Sequence, residues 1–114
     1  RQVEPTRMAI QAMQLHRGVS QLAIAGNNEA RGKLPEIRAR IQAAIDAGNR
    51  IDGEIGALLG TGGQWRKAAE AWQGLLGRAD TLSAADSFRQ HTEVIAVFQD
   101  FISLTADRSN LTLD

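Results

Sequence analysis

Four segments of this chain repeat apolar residues at alternating steps of three and four. That spacing keeps one face of a helix turned towards neighbouring helices, whereas strands would need apolar residues at every second position. The four stripes are Met8, Ala12, Leu15, Val19, Leu22 and Gly26; Ile37, Ile41, Ala44, Gly48, Ile51, Ile55 and Leu58; Trp65, Ala69, Trp72, Leu76 and Ala79; and Phe88, His91, Ile95, Phe98, Ile102 and Thr105. The pattern predicts four amphipathic helices and an all-α fold.

Turn-forming residues separate the stripes. Gly26-Asn27-Asn28 closes the first helix, because glycine and asparagine tolerate the left-handed conformation found at helix ends. Gly60-Thr61-Gly62-Gly63 closes the second helix in the same way. Pro35 fits the first turn of helix two, where its missing amide hydrogen costs nothing. Alternatively, Asn28 caps a longer helix, in which case Pro35 would kink it.

The short connections place consecutive helices antiparallel to one another. We therefore expect an antiparallel up-down-up-down four-helix bundle that forms a single domain over residues 1–114, with both chain ends at one pole. Ser83 followed by Asp86 resembles a capping box at the start of helix four. The residues that we expect to be buried are Ile41, Ile51, Ile55, Phe88, Ile95, Phe98 and Ile102.

Composition and charge argue against several classes of function. Lysine and arginine number 13 and are balanced by 13 acidic residues, without the basic stripe of a nucleic-acid-binding protein. The chain has no cysteine and no run of roughly 20 apolar residues that would span a membrane. Its serines have no evident histidine and acid partners, and no metal-ligand motif is present. We expect no enzyme activity, no metal and no cofactor.

Three residues are candidates for a ligand site. Arg17 can offer a planar charged fork to a carboxylate, and Gly18 beside it costs about 1 kcal/mol inside a helix, which suggests a close approach by a helix or a ligand. His91 lies on the apolar stripe of helix four, and Trp72 lies on the stripe of helix three. The alternatives are an arginine that faces water, a histidine that fills the core, and tryptophans that only anchor the core.

The predicted topology places these candidates at one height. Arg17 lies about ten residues, or roughly 15 Å, below the turn at Asn27, and His91 lies a similar distance below Ser83. Trp72 on helix three can lie at the same height and form the third side of the site. Because helices one and four adjoin in such a bundle, we expect an anion site whose affinity rises as the pH falls through about 6.5, the ordinary pKa of histidine.

Two stretches resemble a known family. Gln14-Leu15-His16-Arg17-Gly18-Val19-Ser20, followed by Gly26-Asn27, resembles the first helix of helical sensor domains in bacterial transmembrane receptors such as chemoreceptors and sensor kinases. It is also similar to the nitrate- and nitrite-sensing domain, which reads Glu-Arg-Gly where this chain has His16-Arg17-Gly18. The segment from Ser87 through Asp114 resembles the helix that follows in the same receptors.

The resemblance implies a periplasmic sensor domain, a piece of a longer receptor anchored in the inner membrane by segments absent from this chain. It implies a homodimer, for which the helix-one face that exposes Gly18 is the candidate contact. A small polar or anionic ligand would bind at Arg17, His91, His16 and Trp72, and small helix displacements would pass the signal inward, as in chemotaxis. The alternative is a structural bundle that dimerises and relays a signal without a ligand. A pocket lined by Arg17 or His91 favours the first interpretation, and a solid core there favours the second.

Overall fold

Four α-helices and one 3₁₀ turn make up almost all of residues 3–113, the part of the chain that this computed structural model describes; side chains are described for residues 3–109. The elements are α1 (Val3–Ile24), α2 (Asn28–Leu59), α3 (Gly62–Arg78), the 3₁₀ turn Ala79–Thr81 and α4 (Ala84–Leu113). Residues 3–113 contain no strand. The prediction of an all-α fold is confirmed. The terminal part of the segment used for the family resemblance, residues 110–114, lies outside the described side chains.

The turn between α1 and α2 serves both helices. Gly26 adopts a left-handed φ of 102°, and the amide of Asn27 donates to the carbonyl of Leu22 at 3.0 Å, which ends α1. The side chain of Asn27 accepts a hydrogen bond from the amide of Ala30 at 3.0 Å, which begins α2. Pro35 therefore lies inside α2, so the alternative of a longer second helix is correct and Asn27 is its cap.

The other two connections are two and five residues long. Gly60 has a φ of 73°, and the amides of Gly60 and Thr61 both donate to the carbonyl of Gly56. This arrangement ends α2 at Leu59, so only two residues separate it from α3. At the start of α4 the hydroxyl of Ser83 accepts from the amide of Asp86 at 3.2 Å, as the capping prediction requires. The backbone of α4 remains helical to Leu113.

The helices pack in a bundle-like arrangement about 52 Å long, in which α1 contacts α2 and α4 most extensively and α3 packs mainly on α4. Large buried side chains fill the centre: Met13, Ile41, Trp65, Trp72, Leu75, Phe98 and Phe101. Among the predicted core residues, Ile41, Ile95 and Phe98 are buried, whereas Ile51, Ile55 and Ile102 are only half-buried.

Phe88 contradicts the core prediction, because 49% of it is exposed. In the first turns of α4 the inward positions belong to Ser87 and His91, which are each 1% exposed. Phe88 follows Ser87 directly, and one residue rotates a helical side chain by about 100°, so its ring lies outside the core.

The predicted inward stripe of α1 is also wrong in part. Met8, Leu15 and Leu22, here called the exposed strip, are 56%, 44% and 52% exposed. The buried face of α1 is displaced around the helix and consists of Pro5, Thr6, Ala9, Ile10, Ala12, Met13, His16, Ser20 and Ala23. Several of these residues are polar, so an apolar periodicity does not detect the face that they form.

Gly48 on α2 lies against the ring of Trp65, where an added Cβ would overlap the indole. We expect Gly48→Ala to be destabilising, because overpacking costs about 1–3 kcal/mol and the better helix propensity of alanine returns only about 1 kcal/mol. Gly53→Ala is the matched control on the same helix, since nothing lies within 4 Å of its Cβ position. Urea unfolding of both variants measures the difference, and a Gly48→Ala protein as stable as Gly53→Ala would contradict this packing.

Candidate functional site

The structure brings together the four residues that the sequence indicated. The Nδ1 atom of His16 on α1 lies 2.9 Å from Nε2 of His91 on α4. The indole of Trp72 on α3 meets the His16 ring edge-on, with 5.3 Å between ring centroids, and lies 6.5 Å from the His91 ring. Arg17 borders the pair through its contacts with α4. The two imidazoles and the indole are at most 1% exposed.

Arg38 on α2 belongs to the same cluster, and sequence reasoning missed it. Its Nε atom donates to Nε2 of His16 at 3.0 Å, so α2 is joined to α1 at this level. The sequence feature that could have identified it is its position directly after Ile37, a residue of the core, because this position brings an arginine to the edge of the core. We call His16, Arg38, Trp72 and His91 the histidine layer.

Hydrogen-bond partners determine where the protons lie in the histidine layer. Nδ1 of His91 is 2.7 Å from the carbonyl oxygen of Ser87, which only accepts, so Nδ1 carries the hydrogen. In the neutral ring Nε2 of His91 is then an acceptor, and Nδ1 of His16 donates to it. Nε2 of His16 in turn accepts from Arg38. The result is one directed chain that uses all four ring nitrogens and links α2, α1 and α4.

Both imidazoles are neutral in this environment. The pKa of His16 is lowered to about 3, mainly by burial and in smaller part by the nearby His91 and the Arg38 guanidinium. Burial also lowers the pKa of His91, against the opposing effect of the hydrogen bond to Ser87, and Arg17 and Arg38 add to the decrease. Two neutral rings therefore fill the interior between two cationic side chains.

Arg17 bridges α1 and α4 at the surface of the bundle. Its Nη1 atom donates to the hydroxyl of Thr92 at 3.0 Å, and its guanidinium lies 4.7 Å from the centroid of the Phe88 ring. Among residues 3–109 it forms no ion pair, whereas Arg38 approaches a carboxylate oxygen of Asp80 at 3.9 Å. Arg17 is half-buried as a residue, and its guanidinium still has N–H donors available for an anion.

The three rings of the histidine layer are buried and line none of the clefts described, which is the arrangement that the structural alternative predicts at this place. The largest cleft described, of about 670 Å³, lies elsewhere, between α1 and α2. Met8, Leu15 and alanines of α2 form its walls, with Glu4 and Arg40 at its edges. This cleft continues the exposed strip into a groove along one side of the molecule.

The residues described contain neither a candidate metal site nor a helix that could span a membrane. Within residues 3–109, histidines and carboxylates do not gather in groups of three that could hold a metal ion. None of the helices, over the part that the structure describes, has the length and hydropathy needed to cross a membrane. Comparisons with protein-family models, with curated proteins and with solved structures give no match to this chain.

Proposed function

We propose that this chain is the periplasmic sensor domain of a bacterial transmembrane receptor and transmits a signal by displacement of its helices. The histidine layer is the observation that carries the proposal. It links three helices through directed hydrogen bonds, and both of its imidazoles are buried. A shift of α1 against α4 must break these bonds, so the layer favours discrete helix arrangements over continuous sliding. The Gln14–Ser20 segment, which carries the family resemblance, supplies His16 to this layer.

The proposal includes an up-down-up-down topology. The connections from α1 to α2 and from α2 to α3 are only two or three residues long, which favours antiparallel neighbours. An even number of such helices brings both chain ends to the same pole. That arrangement suits a domain inserted between two membrane-spanning segments of a longer receptor.

The proposed ligand is a small anion that binds beside Arg17. Arg17 and Arg38 place two positive charges next to the neutral imidazoles, and of the two only Arg38 forms an ion pair among residues 3–109, with Asp80 at 3.9 Å. An anion would therefore meet a local excess of positive charge. Binding at Arg17 would compete with its contacts to Thr92 and Phe88, and so would loosen the bridge between α1 and α4.

Calorimetry at constant pH with nitrate, acetate, dicarboxylates and amino acids tests the anion site. We expect one class to bind the wild-type protein and Arg17→Ala to weaken it at least tenfold, about 1.4 kcal/mol. Arg7→Ala is the matched control, because Arg7 is an exposed arginine on the same helix. Equal affinities for Arg17→Ala and Arg7→Ala would contradict this site, and absence of binding by every class would contradict the ligand.

A second candidate function is a dimerising and signal-relaying bundle without a ligand of its own. The burial of the rings in the histidine layer and the exposed strip favour it. Met8, Leu15 and Leu22 are seven residues apart, the repeat of helices that pair along a seam, and Gly18 between them permits close approach. The strip contains no charge, so a second copy can face it across a two-fold axis without repulsion.

Sedimentation across a concentration series tests the dimer. We expect the wild-type chain to self-associate and Leu15→Glu to raise the dissociation constant at least tenfold, because the substitution puts two carboxylates at the seam. Leu58→Glu is the control, since Leu58 is 79% exposed near the end of α2 and is not part of the strip. A wild-type chain that remains monomeric up to millimolar concentration would contradict this interface.

A further inference from the structure

The hydrogen-bond chain of the histidine layer ends at a group that can only donate and at a group that can only accept. Nε of Arg38 can only donate to His16, and the carbonyl of Ser87 can only accept from His91. The two rings between them must therefore point the same way, and they hold one proton each. The direction of the chain and its number of protons follow from these two fixed ends.

We propose that the histidine layer is a proton-responsive latch, in which uptake of a proton by either imidazole separates α1 from α2 or from α4. This function concerns acidification and requires no ligand, so it goes beyond the proposed sensing of an anion. The proton itself would shift the population from the latched to the displaced helix arrangement.

The latched arrangement cannot accommodate an additional proton on either imidazole. On Nε2 of His16 it would face the N–H of Arg38, 3.0 Å away, and on Nε2 of His91 it would face the N–H of His16, 2.9 Å away. If His16 changed tautomer to relieve the second conflict, its hydrogen would move to the nitrogen that faces Arg38. Each protonated form therefore puts two donors against each other and loses a hydrogen bond of a buried imidazole.

The surroundings of the layer do not stabilise an imidazolium. Arg17 of α1 and Arg38 of α2 are the charged groups that face the rings, α3 contributes the uncharged ring of Trp72, and α4 contributes His91 itself. Asp80 in the 3₁₀ turn reaches Arg38 only at 3.9 Å. Among residues 3–109 neither imidazole forms an ion pair with a carboxylate. A protonated ring must therefore move towards water.

The latch predicts that proton uptake accompanies opening. Burial lowers the pKa of both rings, that of His16 to about 3 from an ordinary 6.5, so a displaced arrangement that hydrates the rings binds protons more tightly. The opening transition then falls between pH 3 and pH 6.5, at a position that depends on the intrinsic preference for the latched form.

Trp72 supplies an internal reporter, because its indole is buried against the His16 ring, and displacement of that ring lets water reach the indole and lower its fluorescence. The chain has two tryptophans, so Trp65→Phe leaves Trp72 alone. In that background, without added ligand, we expect a reversible loss of emission on acidification while the far-ultraviolet circular dichroism stays helical. His16→Gln/His91→Gln in the same background is the control and should lack the transition.

Nitrogen-15 spectra of the imidazoles in the otherwise unchanged chain provide a second measurement that does not depend on the double variant folding. At pH 7 both rings should be neutral with the hydrogen on Nδ1, and both resonances should shift as Trp72 emission falls. The latch is wrong if either ring carries its hydrogen on Nε2 at pH 7, or if the rings stay neutral until helicity is lost. These ligand-free results are independent of whether any anion binds at Arg17.

Discussion

Phe98→Ala is expected to lower the free energy of unfolding by about 3–5 kcal/mol, whereas Phe88→Ala on the same helix should cost about 1 kcal/mol or less. Phe98 is fully buried and packs edge-on against Trp65, with 5.8 Å between ring centroids. Phe88 is 49% exposed and contacts the Arg17 guanidinium at the surface. Truncating Phe98 leaves a cavity in the centre of the bundle, and truncating Phe88 leaves only surface.

Denaturant unfolding of the two variants under identical conditions makes the comparison. Both phenylalanines lie on the predicted stripe of α4, so the sequence pattern alone predicts similar costs for the two. Equal losses of stability would therefore favour the pattern and contradict the structure at the start of α4. Ile51→Ala should cost less than Phe98→Ala, because Ile51 is only half-buried.

The free energy of unfolding should also fall as the pH drops below 6.5. His16 is 0% exposed and its pKa is lowered to about 3 in the latched arrangement, so between pH 3 and pH 6.5 the unfolded chain binds a proton that the latched fold does not. Stability from the neutral ring is thus fully present above pH 6.5 and is lost as the pH falls towards 3. For His16 held in the latched arrangement we expect a loss of roughly 3 kcal/mol between pH 7 and pH 4, at about 1.4 kcal/mol per pKa unit, and opening of the latch in this range reduces that loss.

Urea unfolding at several pH values measures this dependence. The same measurement on His16→Gln/His91→Gln gives the contribution of the carboxylates alone, which is subtracted from that of the wild-type protein. The decisive quantity is the difference in slope between the two proteins, so a lower absolute stability of the variant does not obscure it. His91→Gln alone, which keeps His16, should retain a pH dependence. Parallel curves for the wild-type protein and the double variant would show that the histidines are not buried as neutral rings.

Local sequence patterns predicted most of the fold because they depend on neighbouring residues. The steps of three and four identified all four helices, and the glycines at Gly26 and Gly60 ended helices where their left-handed φ angles permit. The central parts of the buried faces of α2, α3 and α4 also followed from their stripes, since large apolar residues define them, whereas Leu58 and Phe88 on the same stripes are exposed. The coming together of Arg17, His91 and Trp72 followed from counting residues back from the turns.

Tertiary structure decided the features that depend on partners distant in sequence. The inward face of α1 contains His16 and Ser20, and these polar residues can be buried only because His91 and Arg38 complete the hydrogen bonds of the imidazole. A stripe of apolar residues placed Met8, Leu15 and Leu22 inside, and the structure places them at the surface. Periodicity along the chain identifies a helix, but the face that is buried depends on which groups on other helices satisfy its polar atoms, and these pairings exist only after the helices have packed.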